Sequence, residues 1–334
     1  MAANNSFISI VATGLLLSLL IADVESIGVC YGRDGNNLPP PNEVIVLYKS
    51  NNIRGIRLYD FNQDAFQALR GTNIEVIVDI PDPSAFASDP SAAFSWVENN
   101  IKAFQDVNFH YIAVGNELIP GPDAHNILPA MQNLHNALQA AGLQDRIKVS
   151  TSISTGVFGN SYPPSAGVFS SDALATLQPI IGFLNANGSP LLVNVYPYFS
   201  YLGDTNNISL DYALFTSSGT VVQDGQLQYQ NLFDAIMDTL YSALEKVGGG
   251  GITIVVSESG WPSDGNGIAT PQNAQTYISN LIQHAGRGTP KRPGKFIEVY
   301  LFAMFDENLK EPHGTENHYG LFSPGKQPKY SLNF

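Results

Sequence analysis

Positive charge is scarce in this chain. Its 334 residues hold 16 Lys and Arg against 29 Asp and Glu, a formal charge of −13. Nucleic acids and anionic membrane faces are bound by clustered bases that neutralise phosphates, so neither is expected as a partner. The one basic cluster, Lys291, Arg292 and Lys295, is interrupted by Pro293 and reads as a solvated loop. Cysteine is nearly absent: Cys30 stands alone, which excludes an intramolecular disulfide. Small secreted domains lean on disulfides, but a chain of this length buries enough surface without them. Long apolar runs are also missing. Residues 7–22 (FISIVATGLLLSLLIA) fall short of the ~20 residues of a membrane span. A polar stretch, Asp23 to Ser26, follows, and 1–26 reads as a secretory signal peptide cut after Ser26. Its removal takes Asp23 and Glu25 and leaves a charge of −11. The six His are scattered without HExxH spacing, and there is no GxSxG, P-loop or Rossmann fingerprint. No metal and no cofactor are expected.

What is present is a large supply of core. Hydrophobic residues make up 44% of the chain and aromatics 10%, which excludes intrinsic disorder. Eight short, nearly continuous apolar runs read as strands covered on both faces: 27–31, 55–59, 75–80, 111–116, 148–153, 191–196, 252–257 and 298–304. Apolar residues at helical spacing separate many of them, over 41–51, 91–105, 126–141, 229–247 and 271–286. The run Gly248–Gly251 ends one such helix before the seventh strand. Strands alternating with helices predict a (β/α)8 TIM barrel, one domain over 27–334, with a doubly wound sheet as the alternative. Residues 197–228 form a long excursion after strand six, read as a small extra subdomain with a hairpin.

Barrel chemistry sits at the C-terminal ends of the strands. Those ends carry Tyr31, Tyr59-Asp60, Asn116-Glu117, Asn194 with Tyr196 and Tyr198, Glu258, and Asp306-Glu307 followed by Lys310. A single acid at a strand end is ordinary. Several acids on one rim, among Asn, Tyr and Trp, point to glycoside hydrolysis. There one carboxyl protonates the leaving oxygen while the other attacks the anomeric carbon or activates water. Glu117 and Glu258 end strands four and seven, nearly opposite on the ring. Asn116 is then placed to donate to a sugar 2-OH, and the aromatics offer flat faces to sugar C–H groups. Cys30, inside strand one, reads as buried and inert.

These residues resemble a known family. IGVCYG at 27–32, RLYD at 57–60, AVGNE at 113–117, NVYPYF at 194–199, VVSESGWPS at 255–263 and FAMFDEN at 302–308 resemble plant endo-β-1,3-glucanases, family 17 of the glycoside hydrolases. The resemblance spans essentially all of 27–334. It implies a barrel with a long open cleft and retaining hydrolysis, with Glu258 as nucleophile and Glu117 as proton donor and base. It further implies that Tyr59, Asn116, Tyr196 and Phe199 line the cleft, and that Glu307, Lys310 and Glu316 form a charged cluster beside it. The implied substrate and only implied partner is β-1,3-glucan of fungal walls or callose, in a defence role, with mixed-linkage β-1,3-1,4-glucan and a catalytically silent glucan-binding protein as alternatives. The chain departs from the family in having Ser26 or Ile27 where Gln usually begins the mature protein, and in a shorter segment, LIPGPDAHN, after Glu117. It ends at Asn333-Phe334, without the C-terminal tail of vacuolar relatives, so an extracellular location is expected. Two sequons, at Asn187 and Asn207, are expected in loops and are candidate N-glycosylation sites. No motif indicates an oligomer, and a monomer is expected.

Overall fold

The computed structural model describes residues 27–334. The signal peptide expected over 1–26 lies outside the described residues. Eight strands form the barrel: β1 (Ile27–Tyr31), β2 (Gly55–Leu58), β3 (Glu75–Ile80), β4 (Asn108–Asn116), β5 (Lys148–Ser154), β6 (Leu191–Asn194), β7 (Ile254–Ser259) and β8 (Val299–Leu301). All neighbours are parallel, and β1 pairs with both β2 and β8, which closes the ring. That closure selects the barrel over the doubly wound sheet.

The alternation of side chains along each strand builds two apolar layers. Val29, Val76, Val78 and Val256 face outward and pack under the helices. Cys30, Ile77, Tyr111, Ala113, Leu192, Val255 and Tyr300 fill the interior. Both faces are therefore apolar, which is why the strands read as unbroken runs. Cys30 is fully buried; its Sγ donates to the Ser257 carbonyl at 3.3 Å, and burial pushes its pKa up. The Tyr300 ring occupies the floor of the barrel. A Cβ on Gly28 would overlap that ring, and one on Gly55 would lie 2.9 Å from it.

Several boundaries differ from expectation for physical reasons. The run 298–304 is strand only over Val299–Leu301. Beyond it the Phe302 amide bonds the Ser259 carbonyl, and Ala303 and Met304 are covered by the segment around Leu321. The run stays apolar because it is buried there, not because it is extended. The helix expected over 91–105 is regular at Pro90–Trp96, then loosens into a π turn, Val97–Ile101. Its buried residues Ala93, Val97 and Ile101 recur every four positions, slower than the 3.6 period, and the wider i→i+5 turn keeps them on one face.

A 17-residue helix, Ser171–Asn187, carries Pro179 inside it and was not expected. Proline reads as a breaker, but burial of Leu177, Ile180, Ile181 and Leu184 holds the helix. Asn187 is thus the end of a helix rather than a loop residue. Lys291 and Arg292 are not a free loop either: both pair with Glu245, at 2.8 and 2.6 Å.

The excursion after β6 contains helices Pro197–Gly203 and Leu210–Ala213 and a hairpin of Val222–Asp224 with Leu227–Tyr229.

Candidate active site

Strict alternation would turn one member of the acid pair away from the barrel, and a β-bulge prevents it. In the β6–β7 ladder Val256 pairs with Val193 and Glu258 with Asn194, so Ser257 is an extra residue. Val255 points inward, which by alternation sends Ser257 in and Glu258 out. The bulge brings both inside. Ser257 Oγ donates to Asn194 Oδ1 at 2.8 Å, and Glu258 Oε1 accepts from Arg57 Nη1 at 2.9 Å.

On β4 the same device appears: Ala113 pairs with Ser150 and Asn116 with Ser152, three steps against two. Gly115 absorbs the extra residue at φ +75°, a conformation open to glycine, and a Cβ there would meet Leu118 Cδ1 at 2.8 Å. Glu117 itself sits at φ +58°, held by its amide bond to the Ser152 carbonyl at 2.9 Å. Strained backbone of this kind concentrates at functional sites.

Arg57 organises the mouth. It projects inward from β2, is wholly buried, and binds Asp79 through Nε at 3.2 Å and Nη2 at 2.6 Å. Its remaining donors reach Glu258, Asn116 Oδ1 at 3.0 Å and Asn194 Oδ1 at 3.2 Å. Burial opposes its charge, but Asp79 and then Tyr59 and Glu258 outweigh burial and raise its pKa well above the ordinary value. Burial pushes the Asp79 carboxyl up to about 6, against the pull of Arg57.

The two glutamates sit in contrasting surroundings. Glu258 is buried, and three donors converge on it: Arg57 and Tyr59 Oη (2.8 Å) on Oε1, and Tyr196 Oη (2.7 Å) on Oε2. Burial first, with neighbouring charge including Glu258, raises both tyrosines well above the ordinary value, so they remain donors. Glu117 projects into the cleft as an exposed residue, with one donor on its carboxylate, Asn194 Nδ2 at 2.8 Å. The cleft walls still strip water from that carboxyl. This desolvation, then the charge of Glu258, raises its pKa, against Asn194, Arg57 and Lys310. The site can therefore pair a proton-holding carboxyl with a donor-clamped carboxylate. Asn116 Oδ1 accepts from both Arg57 and Asn194, which leaves its Nδ2 as the donor available to the cleft.

The cleft has a volume of about 630 Å³ and is lined by all nine cleft residues singled out from the sequence. Phe199 is exposed beside Tyr196, with ring centroids 5.5 Å apart. Lys310 Nζ stands 4.0 Å over the Phe302 ring and 3.6 Å from Glu316. Glu307 is buried, accepts from the Asp34 amide at 2.7 Å, and has its pKa raised by burial.

Asp60 and Asn194, placed on the rim from their strand ends, do line the cleft, whereas sequence reasoning missed Arg57 and Asp79 as members of this network and Arg33 and Phe302 on the cleft wall. The sequons lie away from the acid pair. Asn207 Nδ2 is bonded to Asp204 at 2.8 Å, and Asn187 Nδ2 to the Phe183 carbonyl at 2.8 Å.

A parallel barrel whose open rim carries two carboxylates in opposed environments has the make-up of a glycoside hydrolase. The chain belongs to glycosyl hydrolases family 17, which matches residues 27–334. It is 56% identical over 339 residues to a Vitis vinifera protein named glucan endo-1,3-beta-glucosidase, covering 99% of this chain and 98% of that one. A Nicotiana plumbaginifolia protein, named the basic vacuolar isoform of the same enzyme, is 55% identical over 98% of this chain and 92% of its own. Among solved structures, one of two plant β-glucan endohydrolases with distinct substrate specificities superposes with a TM-score of 0.89. Its identity is 49%, over 92% of this chain and all of that one.

Proposed function

We propose that this chain is a secreted endo-hydrolase of internal β-1,3-glucosidic bonds that works by retaining double displacement. The observation that carries the reading is the unequal provision of donors to the two carboxylates. Glu258, met by three donors, is the nucleophile, and Glu117, with one donor and a raised pKa, is the acid. Glu117 protonates the glycosidic oxygen while Glu258 attacks C1 to form a glycosyl-enzyme. Glu117, now a base, takes a proton from water, which attacks C1 and releases the sugar. Asn116 Nδ2 donates to the 2-OH. Phe199, Tyr59 and Tyr196 shape the sugar-facing wall, and Lys310 balances Glu307 and Glu316. The names of the relatives support a β-1,3-glucan substrate, and the apolar run at 7–22 supports secretion with the mature chain starting at Ile27.

The test is parallel hydrolysis of linear β-1,3-glucan and mixed-linkage β-1,3-1,4-glucan by wild type and Glu258→Gln. Wild type is expected to yield oligosaccharide ladders from the linear glucan, with the β-anomer formed first, and the variant to lose turnover while staying folded. A first-formed α-anomer, or near wild-type turnover by the variant, overturns the mechanism. Preference for the mixed-linkage polymer overturns the substrate. N-terminal sequencing of the secreted protein tests the cut before Ile27, and vacuolar accumulation would refute the extracellular assignment.

A further inference from the structure

The opposite mouth of the barrel holds a polar cluster that glycoside hydrolysis does not use. Glu75 opens β3, His110 lies in β4, and Glu298 immediately precedes β8. In the β3–β4 ladder Val76 pairs with Phe109 and Ile77 with Tyr111, so His110 is the extra residue of a third bulge. Phe109 packs outward and Tyr111 inward, and the bulge sets the His110 ring against that of Tyr111, with centroids 4.0 Å apart. Glu298, two residues before the inward Tyr300, points the same way. Its Oε1 accepts from Tyr300 Oη at 3.1 Å and its Oε2 from Tyr111 Oη at 3.0 Å. Glu75 Oε2 lies 3.9 Å from His110 Nδ1. One ligand atom from each of the three residues lies within 4.8 Å of the other two.

The donors serving Glu298 are neutral phenols, and Glu75 brings a second carboxylate to the floor, facing the His110 imidazole. Lys148, which borders the adjoining cavity, donates instead to the Asn187 carbonyl at 3.3 Å. A divalent cation seated between the two carboxylates would offset the cost of holding them together.

We propose that Glu75, His110 and Glu298 form a binding site for a divalent transition cation of the zinc type. The bound cation pins β3, β4 and β8 together at the barrel floor. One imidazole and two carboxylates favour zinc over calcium or magnesium, which take oxygen alone, and water completes the coordination. Bonds of about 2.0–2.2 Å place donor atoms roughly 3.3 Å apart, so the three side chains close in by rotamer adjustment. His110 and Glu75 side chains are each 37% exposed, and a cavity of about 320 Å³ borders His110. The expectation of no metal rested on local histidine spacing, and these ligands come from three distant segments. At the floor, the cation acts on stability rather than on turnover.

The test uses the full mature protein, stripped with EDTA and dialysed, then titrated with ZnCl2 by calorimetry and followed by thermal melting. One zinc per chain and a raised midpoint are expected. His110→Gln and Glu75→Gln should each weaken binding by at least about tenfold and abolish the thermal shift, with glucan hydrolysis unchanged. With Cu2+ as a probe, electron paramagnetic resonance should show coupling to a single imidazole nitrogen in wild type. Sub-stoichiometric zinc binding, or binding that survives both substitutions, overturns the site. If His110→Gln does not fold, the Glu75→Gln titration and the wild-type copper spectrum decide alone.

Discussion

Replacing Arg57 by methionine keeps the length of the side chain and removes its charge and all its donors. Asp79, 1% exposed, is then left without its partner, and must either stay buried as an unpaired carboxylate or take up a proton, and Glu258 loses one of three donors. Breaking a buried pair by deleting one partner costs about 3–5 kcal/mol. A domain of about 300 residues unfolds with an entropy of roughly 0.65 kcal/mol/K, so the melting temperature should fall by roughly 5–8 °C. A hydrogen bond to a charged group contributes about 1.5–3 kcal/mol, so the lost contact to Glu258 should lower kcat roughly 10- to 150-fold. The two effects separate in a second variant. Adding Asp79→Asn removes the orphaned charge and should recover most of the melting temperature. It should not recover kcat, because no donor has returned to Glu258. Differential scanning calorimetry and initial rates on soluble β-1,3-glucan read the two quantities on the same samples. A kcat within about threefold of wild type for Arg57→Met, or recovery of kcat together with stability in the double variant, refutes the view that Arg57 acts directly on the carboxylate.

Gly115→Ala forces an L side chain to φ +75° and against Leu118; it should cost at least about 1–2 kcal/mol and lower kcat by displacing Glu117, read by urea unfolding and initial rates. Asn194→Ala removes a donor that favours ionised Glu117, so the Glu117 pKa rises further. Under the proposed mechanism activity is lost as that proton leaves, so the alkaline limb of kcat/KM should move to higher pH; no movement, or movement downward, would count against Glu117 as the acid. Gly28→Ala drives a Cβ into the Tyr300 ring and should destabilise by about 1–3 kcal/mol or more, with partial recovery in Gly28→Ala/Tyr300→Leu followed by thermal melts.

Much of this arrangement was legible before any coordinate, for a definite reason. A strand covered on both faces has no polar alternation, so IGVCY, EVIVDI and ITIVVS each announce a buried parallel strand. Acids immediately after such runs must fall on one rim, and that is where Glu117 and Glu258 are. Arg57 was not legible as a hub, because it stands inside GIRLY, a run read whole as a buried strand, and nothing adjacent in sequence names the groups it binds. The overlooked signal was a second charge, Asp79 in EVIVDI, inward on the neighbouring strand two residues beyond Ile77, which pairs with Arg57. Two opposite charges set into adjacent buried strands have nowhere to go except toward each other. The helix Ser171–Asn187 was hidden by Pro179, and the end of β8 by apolar residues buried in a loop. The floor cluster Glu75, His110 and Glu298 spans more than two hundred positions, and no local spacing reports it.

The bulges explain how one rim accommodates so many polar groups. In an unbroken strand only every second residue faces the interior, so β7 could present Ser257 or Glu258 but not both. The extra residue on β7 lets Ser257 bond Asn194 while Glu258 meets Arg57, Tyr59 and Tyr196. The extra residue on β4 lets Asn116 face inward and throws Glu117 past the end of the ladder, where fewer donors reach it. The difference between the two glutamates therefore arises from register. Glu258 still lies within the sheet, surrounded by inward groups of its neighbours, whereas Glu117 lies one residue beyond it, in a desolvating cleft with a single donor and the charge of Glu258 nearby. Identical side chains thereby come to differ in the donors that reach them, the asymmetry on which the proposed double displacement relies.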